Sequence, residues 1–386
     1  MSEPQVLTSE QPPIRRPGLW IASVVVYILL IIVGSNLGGE LGIFTAASFD
    51  LLPFVGLAVL AYFAGSQFNW AWIATGLWLA LMLGLASLII FVLGVITLPD
   101  LPPINSEQPP DLAPADLPSI VLFILGIFTA IGIGLFTLLP PVRRGLARVL
   151  PIDPDSFVHA IALMAIVSIT LMMFVPLLIT GEPPLLALVN TIGGTELSDL
   201  SADEQLRSQL YGLVWTIPAA FLAVGFGIRR NRAATLERLG LVRPTLRHLL
   251  IGLGVGLGLA GLMSLALPLM DSLWQALGWP TTDEEAFREL MAFAISPIGA
   301  LVIGVTAGLG EELGVRGVLQ PRLGIWLSNL FFTSLHAFQY HWDALLVVFV
   351  IGMACGLVRK HTNTTTAAIV HGVYNFIMVM LAVVFG

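Results

Sequence analysis

A chain of 386 residues that is 57% hydrophobic and only 11% charged, with a mean hydropathy of +0.93, cannot have water as its main solvent. Soluble domains carry about 25% charged residues. The formal charge of -7 would suit an acidic soluble protein, but the sign is segregated along the chain, and nucleic acid is not an expected partner.

Residues 1–18, polar and with prolines before Arg15-Arg16-Pro17, read as a disordered cytoplasmic tail rather than a cleavable signal. A bilayer core roughly 30 Å thick needs about 20 mostly apolar residues per helical span. Apolar runs follow near 19–35, 48–66, 70–97, 119–141, 157–180, 210–228, 249–271, 297–318, 324–340, 344–358 and 364–384. This predicts an all-α fold, a polytopic transmembrane helical bundle of about eleven spans; the short alternating segments of a barrel are not seen. Lys and Arg are retained on the cytoplasmic side of membranes. With the N-terminus inside, fourteen of the 17 Lys and Arg residues fall in cytoplasmic connections, and the Asp/Glu-rich connections Asp100 to Asp116, Glu182 to Glu204 and Asp271 to Glu289 fall outside. The expected location is the cell membrane.

The basic stretch 229–248 is the expected cytoplasmic connection between an N-terminal bundle of about six spans, 19–228, and a C-terminal bundle, 249–386. A Pro-rich loop occupies 102–114. Ser201 with Glu204, and Thr282 with Glu285, have capping-box spacing and predict outer helix starts. Gly252, Gly254, Gly256, Gly258 and Gly261 give one helix a small-residue face for close packing. The single Cys355 reads as a small buried residue, and His341, Asp343 and His361 as solvated turn residues. His159 and Asp50 read as structural or interfacial groups.

Ionisable side chains inside spans cost several kcal/mol, face the protein interior and are functional candidates. The C-terminal bundle holds nearly all of them. Glu312 and Arg316, four apart, share a helical face and are expected to pair, which leaves Glu311 turned away without that partner. Neighbouring glutamates in unlike environments differ in proton affinity, so one is structural and one reactive. Phe332 and His336 lie in the next run, His371 and Asn375 in the last. A free carboxylate, two imidazoles and an amide from three helices supply a base, a second proton handler and hydrogen-bond donors, the set that activates water and stabilises an oxyanion.

Glu311-Glu312-x-x-x-Arg316, Phe332-x-x-x-His336 and His371-x-x-x-Asn375 together resemble, in order and spacing, the three motifs of the CAAX protease and bacteriocin-processing family, which includes the type II CAAX prenyl endopeptidases. The resemblance covers residues 295–385. It implies an intramembrane endopeptidase that acts on a peptide or lipidated protein substrate among membrane lipids. Glu311 and His371 each lie eleven residues from an inner marker, Arg322 and Lys360, which predicts a site within the bundle that opens to the cytoplasm. The resemblance also implies roles: Glu311 with His336 activates the water, His371 with Asn375 stabilises the oxyanion, and Glu312 with Arg316, beside Phe332, supports the site. No cofactor is required in this reading. Zinc on Glu311, His336 and His371 is the alternative, although no His-Glu-x-x-His helix is present. Two other functions remain open: a non-catalytic immunity or scaffold protein of the same fold, and a proton-coupled transporter.

Overall fold

The computed structural model describes residues 38–65, 69–98, 116–193 and 198–385, with scattered positions between 25 and 36. The expected tail 1–18, most of the run 19–35 and the Pro-rich loop 102–114 lie outside the described residues. Among the described residues the protein is a bundle of helices without a β-strand, as a chain must be if its backbone is to satisfy itself in lipid.

The apolar runs become α1 (Leu52–Ala64), α2 (Asn69–Ile96), α3 (Leu117–Phe136), α4 (Phe157–Met173), α5 (Ala202–Ala223), α6 (Leu246–Ala276), α7 (Pro297–Thr306), α8 (Gln320–Ser334), α9 (Trp342–His361) and α10 (Thr364–Phe385). Seven stretches among the described residues are long and apolar enough to cross a bilayer. Of the expected eleven, the run 19–35 lies mostly outside the described residues, and the rest of the difference has local reasons. The run 48–66 yields only the 13 residues of α1. The run 210–228 is the apolar end of α5, whose first turns are polar. The runs 297–318 and 324–340 join into one stretch, Pro297–Ser334, kinked at Gly324, whose φ of +76° favours glycine.

The largest buried core joins α1, α2, α3, α4 and the start of α8, with Phe123, Ile90, Leu163, Met172 and Leu323 fully enclosed. The outward leucines of α6, among them Leu253, Leu265 and Leu269, stay exposed, which suits contact with lipid tails. The α6 glycines divide. A Cβ at Gly256 would lie 2.8 Å from Val373, and one at Gly252 would collide with Ile369, so these two admit α10; Gly254, Gly258 and Gly261 face open space.

A closer crossing positions the site. A Cβ on Gly308 would lie 2.7 Å from Cα of Gly372, and one on Gly304 2.9 Å from the Gly372 carbonyl. Backbone meets backbone there, as small-residue pairs four apart allow in membranes. The crossing brings the chain after α7 against the middle of α10, beside His371.

Two turn readings need correction. His341 and Asp343 are buried, not solvated. Asp343 accepts from Thr282 N at 2.9 Å and Thr282 Oγ1 at 2.7 Å, and His341 Nε2 donates to the Gly181 carbonyl at 2.9 Å, so three connections are tied together. Thr282 is thereby spent, and Asp283 caps the helix Glu284–Leu290 in its place. The capping box of Ser201 and Glu204 forms as expected.

Candidate active site

Glu311 and Glu312 stand where the helix continuing α7 widens into π turns, Ala307–Glu311 and Leu313–Leu319. π turns insert a residue into a helix and recur at functional sites. The widened stretch lies against α10 through Gly308, so its side chains face His371 across a short gap.

Glu312 and Arg316 approach at 3.2 Å, and the side chains of both are 0% exposed. Burying an ion pair stabilises only when the remaining hydrogen-bonding capacity is met. Arg316 Nη2 donates to the Gly352 carbonyl at 2.7 Å and to Asn329 Oδ1 at 3.3 Å, and Asn329 Nδ2 donates to the Phe349 carbonyl at 2.9 Å. The guanidinium lies 5.3 Å from the centre of the Phe332 ring, a cation–π distance. Gly352 must stay bare, because a Cβ there would strike Asn329 Oδ1.

His371 spans the two glutamates. Its Nδ1 is 3.0 Å from Glu312 Oε1 and its Nε2 is 3.9 Å from Glu311 Oε2. Glu312 faces Arg316 as a carboxylate and can only accept, so Nδ1 carries a hydrogen and the ring orientation is set. Glu311 is not left without a neighbour: its side chain, 38% exposed, faces His371. The adjacent carboxylates therefore differ sharply, one sealed and paired, the other open and facing an imidazole nitrogen.

The other residues join less directly. His336 sits just past the end of α8, where Nδ1 donates to the Phe332 carbonyl at 3.0 Å and the ring stacks on Tyr340 at 6.0 Å. Phe332 presents edge-to-face contacts to both imidazoles, 4.9 Å from His336 and 5.9 Å from His371. Asn375, one turn beyond His371 and partly buried, has no hydrogen-bond partner among the described residues. Direct contact thus joins Glu311, Glu312, Arg316 and His371, while His336 connects through Phe332. Asn329, Gly352 and Tyr340 were not singled out from the sequence. Asn329 did carry a signal, an amide within an apolar helix three residues before Phe332.

Among the described residues, those whose possible ligand atoms gather within 4.8 Å are Glu312, Cys355 and His371, not Glu311, His336 and His371. This trio does not suit zinc. Arg316 and His371 Nδ1 already occupy the Glu312 oxygens, and the guanidinium at 3.2 Å opposes a second cation. No curated protein and no solved structure matches the chain. Residues 293–377 match the family model described as type II CAAX prenyl endopeptidase Rce1-like, and the segment that carries every one of these motifs is thereby a CAAX-protease-like region of an integral membrane protein.

Proposed function

We propose that the protein is an intramembrane endopeptidase that hydrolyses peptide bonds of membrane-associated proteins or peptides with a water activated by Glu311. The reading is carried by the inequality of the two glutamates: Glu312 is 0% exposed and held by Arg316, whereas Glu311 is 38% exposed and open to a water. The Glu312 carboxylate is committed to Arg316 and His371, whereas the Glu311 carboxylate is open to an approaching water.

In this reading Glu312 orients His371, and Glu311 removes a proton from water as its oxygen attacks the peptide carbonyl carbon. The oxyanion that forms is offered a hydrogen bond by Asn375, and a second by His371 Nε2 when the ring is doubly protonated. The C–N bond then breaks, and Glu311 returns its proton to the leaving amine. His336, its Nδ1 hydrogen engaged by the Phe332 carbonyl, presents Nε2 as an acceptor to substrate or water. An extended segment of a lipidated protein or peptide is the fitting substrate, since its peptide bond must enter a wet cavity between helices. With the arginine-rich connections on the cytoplasmic side of the cell membrane, the cavity is expected to open toward the cytoplasm.

Cleavage of a peptide library by the purified protein tests it. The wild type is expected to cleave without dependence on chelators, and Glu311→Gln to lose roughly 10²- to 10⁴-fold in rate. Equal rates would remove the mechanism. Inhibition by a chelator reversed by zinc would overturn the metal-independent reading, and a wild type that cleaves nothing would favour an immunity or scaffold role.

A further inference from the structure

A half-open cavity of about 390 Å³ lies at the ends of α1, α2 and α4, lined by none of the candidate catalytic residues. Its wall includes Gly65, Trp72, Asp153, Asp155, Ser156 and Arg229. Charges of both signs therefore face one space, yet Arg229 forms no ion pair with a carboxylate among the described residues.

Arg229 is fixed but not neutralised. Its Nη2 donates to the Gly65 carbonyl at 3.0 Å, its guanidinium lies 5.5 Å from the centre of the Tyr62 ring, and its buried Nε has no hydrogen-bond partner among the described residues. Arg322, 5.6 Å from the same ring, donates to the Tyr62 hydroxyl and the Ala223 carbonyl, and Arg230 donates to the Val224 carbonyl. Neither forms an ion pair with a carboxylate either. Arg229, the arginine that lines the cavity, thus brings to its wall a positive charge that no carboxylate among the described residues offsets, with Arg230 and Arg322 behind it.

The acidic side is equally well held. Asp153 Oδ1 accepts from Asp155 N at 3.0 Å, Asp153 N donates to His159 Nδ1 at 2.8 Å, and Arg143 Nε donates to the Pro154 carbonyl at 2.8 Å. Trp72 packs on Phe157 with ring centres 4.1 Å apart and donates to the Ala64 carbonyl at 3.1 Å. A simple anion would meet the two carboxylates, and a simple cation would meet Arg229. A ligand with both charges satisfies both walls.

We propose that this cavity binds the phosphoethanolamine headgroup of a membrane lipid, with the phosphate against Arg229 and the ammonium between Asp153 and Asp155. Ile73 and Leu77 of α2, both exposed, continue from Trp72 along the helix and give the acyl chains a surface. Charge-assisted hydrogen bonds at both ends set the preference, and loss of one end is worth about tenfold in affinity.

The test is native mass spectrometry of the detergent-purified protein offered phosphatidylethanolamine, phosphatidylglycerol and phosphatidylcholine with identical chains. The wild type is expected to retain phosphatidylethanolamine about tenfold over the other two. The double variant Asp153→Asn, Asp155→Asn keeps the loop's hydrogen-bond acceptors and is expected to lose that preference, while Arg229→Gln is expected to weaken all three lipids. A wild type without headgroup preference, or a double variant that keeps it, would overturn the proposal. Displacement of the lipid by millimolar free phosphoethanolamine would assign the site to a soluble ester and overturn the lipid as its source.

Discussion

Arg316 shows how one residue sets the demands on its surroundings. A guanidinium that is 0% exposed needs a counter-charge and acceptors: Glu312 supplies the first, Asn329 and the Gly352 carbonyl accept from Nη2, and Nη1 has no hydrogen-bond partner among the described residues. Glu312→Gln leaves the charge buried and unpaired, which is expected to cost about 3–5 kcal/mol. Glu311→Gln, at a half-exposed position, is expected to stay within about 0.5 kcal/mol of the wild type. Thermal unfolding of the two variants in detergent separates them; similar Tm values would mean that the carboxylates are not divided as described. The charged members of this network were legible because charge in an apolar helix stands out. Asn329 and Gly352 were not, since one is uncharged and the other acts only by the space it leaves.

At the scale of elements, the glycines carry the packing, and their spacing alone does not say which ones do. Gly308→Val is expected to force the π stretch away from α10 and prevent stable folding, because a Cβ already comes within 2.7 Å of Gly372. Gly254→Ala, with nothing near it, is expected to raise stability by about 0.5–1 kcal/mol. Equal melting curves for the two would contradict the crossing. Helix starts were legible where the partner is local, as at Ser201, and illegible at Thr282, whose better partner Asp343 lies far along the chain. Hydrogen bonds from the Ser201 hydroxyl and backbone N–H hold the Glu204 carboxyl below its ordinary pKa. A depressed carboxyl contributes fully above its unfolded pKa and loses that contribution as the pH falls through the folded value. The protection of the amides at the start of α5, relative to their intrinsic exchange rates, is therefore expected to fall below about pH 4, and Ser201→Ala to flatten that dependence.

For the whole molecule, the hydrophobic runs made the helical membrane class legible, because lipid leaves few ways to satisfy a backbone. They did not show how runs join. The two runs flanking Arg322 become one kinked stretch, and the π turns rotate Glu311 toward His371, a change of register that a regular helix does not foretell. The contacts follow from this: His371 lies between both glutamates, and His336 is reached through Phe332. In the proposed function one sealed carboxylate builds the site and its open neighbour does the chemistry. Its most direct test is the peptide-cleavage rate of Glu311→Gln, measured on protein that melts with the wild type. The account predicts a loss of roughly 10²- to 10⁴-fold at unchanged Tm. Cleavage at the wild-type rate would contradict it.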